Sequence, residues 1–376
     1  MAHPFVSDSY LAHQSGRQVL DASAGPAVSC LGFGRPEIAQ VVTNQINQLA
    51  YLYSGARFTC DAIEDLASTL LNGRPGGLCK VILVNSGSEA TDAAIKPATQ
   101  YWFERGMHQK SLCISGHDSR RAMYRPWLPQ NVSFVDPCFS YRLRGDESDE
   151  EYVKRLAGQL EEEILRIMCG MGKTGTMHAW EQEGISGPDI QMIGKALGGG
   201  FIPLSGVLFR RKIFDAIAEG SGGLAHGHTF QAHSVACAAA LQVQRIIPDE
   251  DILTNVQKMG IVLENLLKTH IGSLGHVGDV RGRGLFWAVE FVQDRQSKTP
   301  FPASLGLCHR IVDKSLDLGL NILGNLGQTG EVHVDHVIIS PPYVVTESEL
   351  ERMVGILREA ILNVVSEISE IQEAKF

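Results

Sequence analysis

Short apolar runs alternate with longer amphipathic stretches along most of the chain. Residues 80–85 (KVILVN) have the length and β-branched content of a buried strand. Ser86-Gly87-Ser88-Glu89 then opens a helical stretch to about Phe103. Residues 132–135 (VSFV), 189–193 (DIQMI) and 206–209 (GVLF) read as further strands, the last two around a glycine-rich turn. Residues 150–166 set Val153, Leu156, Leu160 and Ile164 on one face at helical spacing, and residues 232–247 form an Ala-rich helix. Strands alternating with helices predict an α/β protein with a parallel sheet.

The two ends of the chain have a different texture. Residues 17–60 read as a short strand, a turn-rich loop and a helix beginning near Pro36. After about residue 270, VGDVRGRGLFWAVEFV has strand character with Gly282 and Gly284 marking a bend, and HVIISPPYVV follows. A terminal helix starts at a capping box, Thr346 with Glu349, and carries Leu350, Met353, Val354, Leu357 and Ile361 on its apolar face. Pro97 falls inside the helix of 88–103, where it costs about 3 kcal/mol unless the helix kinks or ends. There is no internal repeat and no low-complexity tract.

Composition narrows the classes. A length of 376 residues suggests roughly two domains at about 150 residues each. The net charge of -9 excludes the basic face that nucleic acid needs and disfavours an anionic membrane surface. No apolar run reaches the roughly 18 residues that span a bilayer. The first residues, MAHPFVSDSYL, lack a basic segment followed by an apolar one, so no secretory signal is expected. The eight cysteines are scattered without a C-x-x-C pair, which makes a reducing cytosol the expected compartment.

Three segments carry candidate chemistry. In NSGSEATDAA (85–94) a strand ends, Gly87 permits a tight turn and a helix begins; amides at such an N-terminus bind phosphate. An ordinary strand-to-helix turn with a serine cap is the bland alternative. In DIQMIGKALGGG (189–200) Lys195 follows an apolar strand, where a partly desolvated amine of lowered pKa suits a Schiff-base nucleophile, and Gly198, Gly199 and Gly200 allow close approach to a bound ring. Most lysines are instead solvated surface groups. In GHTFQAHSVACAAA (227–240) Thr229 precedes a helix of small residues and could hold a phosphate. His226, His228 and His233 match no zinc spacing, so no metal is expected. ALGGGF lacks the arrangement of a dinucleotide-binding GxGxxG, which sets an oxidoreductase aside.

Taken in order, these segments resemble those of class III, fold-type-I aminotransferases dependent on pyridoxal 5'-phosphate. So do DASAGPAVSCLGFGRPEI near the N-terminus, MGKTGTMHAWEQEGI (171–185), VRGRGLFWAVEF (280–291) and SPPYVVTESEL (340–350). The resemblance implies an α/β fold: a large domain with a mostly parallel three-layer α/β/α sheet, residues 56–265, and a smaller α+β domain from residues 1–55 and 266–376. It implies a Schiff base between Lys195 and pyridoxal phosphate, and a free Lys195 amine that later moves a proton between substrate carbon and cofactor. Ser86, Gly87 and Ser88 would contact the cofactor phosphate. Thr229 would reach the phosphate of the neighbouring subunit in a homodimer. The partners would be an amino acid or amine donor and a 2-oxo acid or aldehyde acceptor. Arg35, Arg57 and Arg283 are candidates for carboxylate recognition.

The chain departs from the family at two places. The family's Asp-Glu-Val triplet, whose Asp pairs with the cofactor ring nitrogen, is absent; its Asp and Glu positions fall on Leu165 and Arg166. The Tyr-His-Gly turn whose aromatic ring stacks on the cofactor is missing near residue 112, with His117 and Tyr124 nearby but out of pattern. Three central strands are therefore expected to be missing, leaving VSFV about 14 Å from the Lys-bearing strand. Two readings compete with an active transaminase. One is a catalytically degenerate relative acting, if at all, as a binding partner. The other is a natural transcript that still encodes the two segments.

Overall fold

The computed structural model describes residues 9–12, 16–54, 58–106, 140–161, 166–167, 171–184, 186–329 and 332–373. The chain begins with strands β1 (Tyr10–Ala12) and β2 (Gln18–Asp21), followed by helices α1 (Pro36–Leu49) and α2 (Asp61–Leu70). Pro36 sits at the first turn of α1, where its missing N–H costs nothing. Strand β3 (Leu78–Val84) leads through Ser86 into helix α3 (Gly87–Glu104). Helix α4 (Asp149–Glu161) precedes the short strand β4 (Arg166–Ile167). Strands β5 (Ile190–Ile193) and β6 (Ser205–Arg210) follow, then helices α5 (Arg211–Glu219), α6 (Ser234–Asp249) and α7 (Ile252–His270).

One sheet has the order β3-β6-β5-β4. β6 pairs antiparallel with both β3 and β5, and β4 pairs parallel with β5, so three of the four strands run the same way. Side chains alternate across it as the pleat requires. Val84, Ile190, Met192, Val207 and Phe209 pack on one face against Ala90, Ala93 and Ala94 of α3 and Ile213 and Ile217 of α5. Leu83, Ile193 and Leu208 point the other way, into the main core that includes the buried alanines of α6. The result is helix, sheet, helix. The alanines matter, because small side chains let α3 and α6 lie close to the strands.

The C-terminal part adds strands β7 (Val277–Arg283) and β8 (Phe286–Phe291), helix α8 (Leu307–Leu318), and strands β9 (Leu320–Asn321), β10 (Leu323–Thr329) and β11 (Val332–Ile339). β10-β11-β8-β7 form an antiparallel sheet. β2 pairs with β9 in parallel, Leu20 opposite Leu320, so the N-terminal strand is built into the C-terminal part. Glu290 of β8 is fully buried between Arg142 at 2.8 Å and Arg281 at 3.0 Å, tying residues 140–143 to this sheet. Helix α9 (Glu347–Glu373) closes the chain with Leu350, Met353, Val354, Leu357 and Ile361 all buried. Its capping box forms as the sequence predicts: Thr346 N donates to Glu349 Oε2 at 2.8 Å and Glu349 N to Thr346 Oγ1 at 3.4 Å. Thr346→Ala should cost about 1 kcal/mol, read as a lower midpoint in denaturant with unchanged slope.

Several expectations change. Val153 is 60% exposed while Tyr152 is 3% exposed, so α4 turns a different face inward from the one its periodicity suggests. Residue 166 belongs to β4, so the helix does not reach it as its periodicity suggests. α3 runs through Pro97 as one element, with the proline ring buried where apolar contacts offset the lost hydrogen bond. The sheet is less interrupted than expected: β4 stands beside β5, where a missing strand was anticipated. β10 was not anticipated at all. The VSFV segment lies outside the described residues.

Candidate active site

β5 is buried along its whole length and ends at Gly194. A Cβ on Gly194 would stand 2.7 Å from Ser205 Oγ, so glycine is needed where β5 and β6 begin to part. Lys195 follows with φ 52, a left-handed conformation that costs a non-glycine residue about 1–2 kcal/mol. The turn beyond it is pinned from behind: Gln244 Nε2 donates to the carbonyls of Ala196 at 3.2 Å and Leu197 at 3.1 Å. The glycine run serves packing within the protein and does not line the cavity described next. A Cβ on Gly198 would meet Ile202 O at 2.2 Å, and one on Gly200 would meet Ser29 Oγ at 2.9 Å. The expectation that these glycines admit a bound ring is thus corrected.

Lys195 faces a cavity of about 320 Å³, whose lining includes Gly87 and Ala90 from α3, Met192 from β5, and Lys173, Phe286 and Tyr343. At the α3 N-terminus, Ser86 Oγ accepts from Glu89 N at 3.2 Å and Ser86 O accepts from Ala90 N at 2.9 Å. The amides of Gly87 and Ser88 have no partner among the described residues, and a Cβ on Gly87 would meet nothing within 4 Å. An 18-residue helix therefore begins at the cavity with two open donors, and Gly87 lies on the lining. The Ser86 hydroxyl caps the helix as an acceptor and keeps its O–H to donate. Glu89 steadies this turn by accepting from Asn85 N at 2.8 Å and Asn85 Nδ2 at 3.0 Å.

Thr229 is exposed and does not line this cavity; its carbonyl accepts from Tyr51 Oη at 2.8 Å. The three histidines go to separate partners. His226 Nδ1 lies 3.1 Å from Lys96 Nζ, His228 Nε2 lies 3.8 Å from Glu89 Oε1, and the His233 ring packs against Tyr51 and Phe230. Arg35 is engaged by Glu250 at 2.8 Å and 3.0 Å, and Arg283 by Glu183. Arg57, His117, Tyr124 and Leu165 lie outside the described residues.

The desolvated lysine is not the one the sequence suggests. Lys195 is exposed, whereas Lys173, on the MGKTG loop, is buried. Lys173 Nζ donates to the carbonyls of Ser340 at 2.8 Å and Pro341 at 2.5 Å and lies 5.2 Å from the centre of the Tyr343 ring. Burial pushes its ammonium down from 10.5 to about 7, with Lys195 adding repulsion and Asp21 opposing it. An unfolded chain keeps that proton up to the ordinary lysine range, so between about pH 7 and pH 10.5 it binds more protons than the folded one. Stability from this group therefore rises with pH across that window, and the penalty is complete below it. Lys173→Met should flatten the rise, seen by comparing urea midpoints of both proteins at about pH 7 and about pH 9.

The groups present suit a phosphorylated aldehyde: open amides for the phosphate, a lysine for the carbonyl carbon, an apolar wall for a ring. No carboxylate lines the cavity among the described residues. Arg166, opposite Ile190, occupies the register position next to β5.

Comparison with known proteins identifies the family. The profile of the aminotransferase class-III family matches residues 6–121 and 164–361. An aminotransferase of Gibberella zeae is 32% identical, the match covering 95% of this chain and 83% of the relative. That alignment runs over 426 positions against 376 residues here, so at least 50 positions of the relative face no residue of this chain. An uncharacterized aminotransferase of Schizosaccharomyces pombe is also 32% identical, covering 95% of this chain and 91% of its own. Among solved structures, a transaminase from ancestral reconstruction is 26% identical with a TM-score of 0.87, covering 96% of this chain and 92% of that one. An amine transaminase from an uncultivated Pseudomonas species, in a pyridoxal-phosphate-bound form, is 25% identical with a TM-score of 0.86, covering 95% and 93%. The chain belongs to the class-III aminotransferases, enzymes that move an amino group with pyridoxal 5'-phosphate.

Proposed function

We propose that this protein transfers an amino group from an amino acid or amine to a 2-oxo acid or aldehyde, with Lys195 as the residue that holds the cofactor and moves the proton. The observation that carries the reading is Lys195, exposed in a left-handed turn, on the same cavity as Gly87, whose amide is open together with that of Ser88 beside it. Pyridoxal phosphate, when bound, supplies an aldehyde and a ring that accepts electrons. Lys195 Nζ would hold the cofactor through its aldehyde carbon. When freed by the donor amine, the Lys195 amine would take the proton from the nitrogen-bearing carbon of the donor and deliver it to the former aldehyde carbon. Gly87 and Ser88 N–H bind the phosphate, and Met192 and Phe286 help exclude water from the apolar wall.

The working unit is a homodimer in a reducing cytosol. Tyr51, Tyr53, Phe58 and Phe230 are 40–68% exposed beside Thr229, which supports a second copy covering them and Thr229 reaching that copy's phosphate site. The unpaired Cys30, Cys60, Cys79, Cys237 and Cys308 support the compartment. Residues 56–265 form the cofactor-binding domain and residues 1–55 with 266–376 the smaller one, a division supported by the β2–β9 pairing. The test is purified protein with added pyridoxal phosphate. We expect a visible absorption band, its conversion on adding an amino donor, its return with pyruvate, and a mass of two 41.0 kDa chains by light scattering. A colourless protein that takes up no cofactor overturns the reading.

A further inference from the structure

Lys173 is a buried amine with no anion beside it among the described residues. Its residue is 8% exposed, and no carboxylate lies within ion-pair distance of it among the described residues. Its partners are two main-chain carbonyls, which orient an ammonium without neutralising it. The acidic groups that act on it are Cys30 and then Asp21, and one oxygen of that carboxylate is engaged elsewhere. Asp21 Oδ1 accepts from Ser23 N, Ser23 Oγ, Ala24 N and Asn321 Nδ2 at 2.9–3.1 Å, while Oδ2 is buried without a partner. A desolvated charge in this condition destabilises the fold unless an anion arrives to pair with it.

The cavity gives that anion a place. Lys173 and Lys195 are the cationic side chains on its lining, and Lys195 is committed to the cofactor aldehyde. The phosphate is served at the other element, by the open amides of α3. Arg35 and Arg283 do not line this cavity: Arg35 is held by Glu250 and Glu37, and Arg283 by Glu183. We propose that Lys173 receives the carboxylate of the amino acid donor and of the 2-oxo acid acceptor, and so selects carboxylate-bearing substrates. The carbonyls of Ser340 and Pro341 hold two of its N–H groups, and the third pairs with the incoming carboxylate. Such an anion also relieves the desolvation that pushes this ammonium down. A bound carboxylate thus draws the proton onto this amine, and the site fits an acid in preference to a neutral amine or aldehyde.

The inference rests on the transaminase reading and is tested separately from it. Wild type, Lys173→Met and Lys173→Arg are compared with L-alanine and pyruvate, and with a simple primary amine and an aldehyde. The expected result for Lys173→Met is a KM for alanine and pyruvate raised about 30-fold or more, with amine and aldehyde kinetics within about 3-fold of wild type. Lys173→Arg should restore part of the loss. Calorimetric titration of each holoenzyme with butyrate, using butyramide as the uncharged control, gives a readout independent of turnover. Butyrate should bind wild type and lose affinity in Lys173→Met, while butyramide is indifferent. Equal losses on all substrates, or loss of cofactor retention in place of carboxylate affinity, would overturn the proposal; absence of any transamination in wild type would instead overturn the reading beneath it.

Discussion

Lys195→Ala is expected to leave a folded protein without the visible band of the wild type and with transamination slower by at least about 10³-fold, combining the lost covalent anchor with lost proton transfer. No second amine on the cavity lining can take over: Lys173 is held at 2.8 Å and 2.5 Å by carbonyls of a different loop. Because Lys195 sits at φ 52, alanine keeps the backbone strain while glycine removes it. Lys195→Gly should therefore be more stable than Lys195→Ala by about 1 kcal/mol, with both colourless. This pair of variants separates chemistry from conformation. A visible band persisting in either one would show that another residue holds the cofactor.

The second large effect is structural. Gly284 forms the bend of the β7–β8 hairpin with φ +57. A Cβ there would lie 2.7 Å from Lys173 O and from Thr174 C, and 2.8 Å from Thr174 Cα. These are main-chain atoms of the loop that carries Lys173, and Leu285 N donates to Lys173 O at 3.0 Å across the same contact. From the opposite side a Cβ on Gly260 of α7 would stand 2.7 Å from Gly284 Cα. Nothing in this stack can rotate away. Gly284→Ala should cost about 3 kcal/mol or more, strain and overpacking together, and should also open the cavity wall. The check is a thermal midpoint for the holoenzyme together with KM. A variant with wild-type stability and KM would show that the hairpin tolerates displacement.

Much of this was legible in the sequence because local chemistry and tertiary context agree. Ser86 ends a strand and caps a helix through its own neighbours, so the α3 N-terminus can be read from NSGSEA alone. Thr346 and Glu349 behave likewise. β5 and β6 are apolar runs whose burial on both faces matches their composition. Agreement fails where distant packing decides. LGNLGQT in β10 has little strand character and is held by its register against β11, Leu323 opposite Ile338. Helix α4 buries Tyr152 and exposes Val153, because an aromatic ring offers more surface than the stripe beside it. Lys173 gave no signal, since nothing in GKTG reveals that loops 167 residues later supply its carbonyl partners. Lys195 is exposed and Lys173 is buried, so desolvation falls on a lysine outside the apolar-strand motif. The ring-nitrogen carboxylate was read as absent from the sequence, and the described lining contains none.

The parallel pairing of β2 with β9 also sets a schedule for the living chain. Asp21 and Asn321 are 300 residues apart, and their hydrogen bond belongs to a knot that includes Ser23 and Ser340. A ribosome adding roughly 5–20 residues per second takes about 15 s or longer to travel between them. Throughout that interval Val19 and Leu20, which end fully covered, have no native partner strand on β9. The nascent N-terminus is then an apolar strand waiting for its match, a natural client for chaperones. Its burial marks the moment when synthesis has passed residue 320 and the molecule closes.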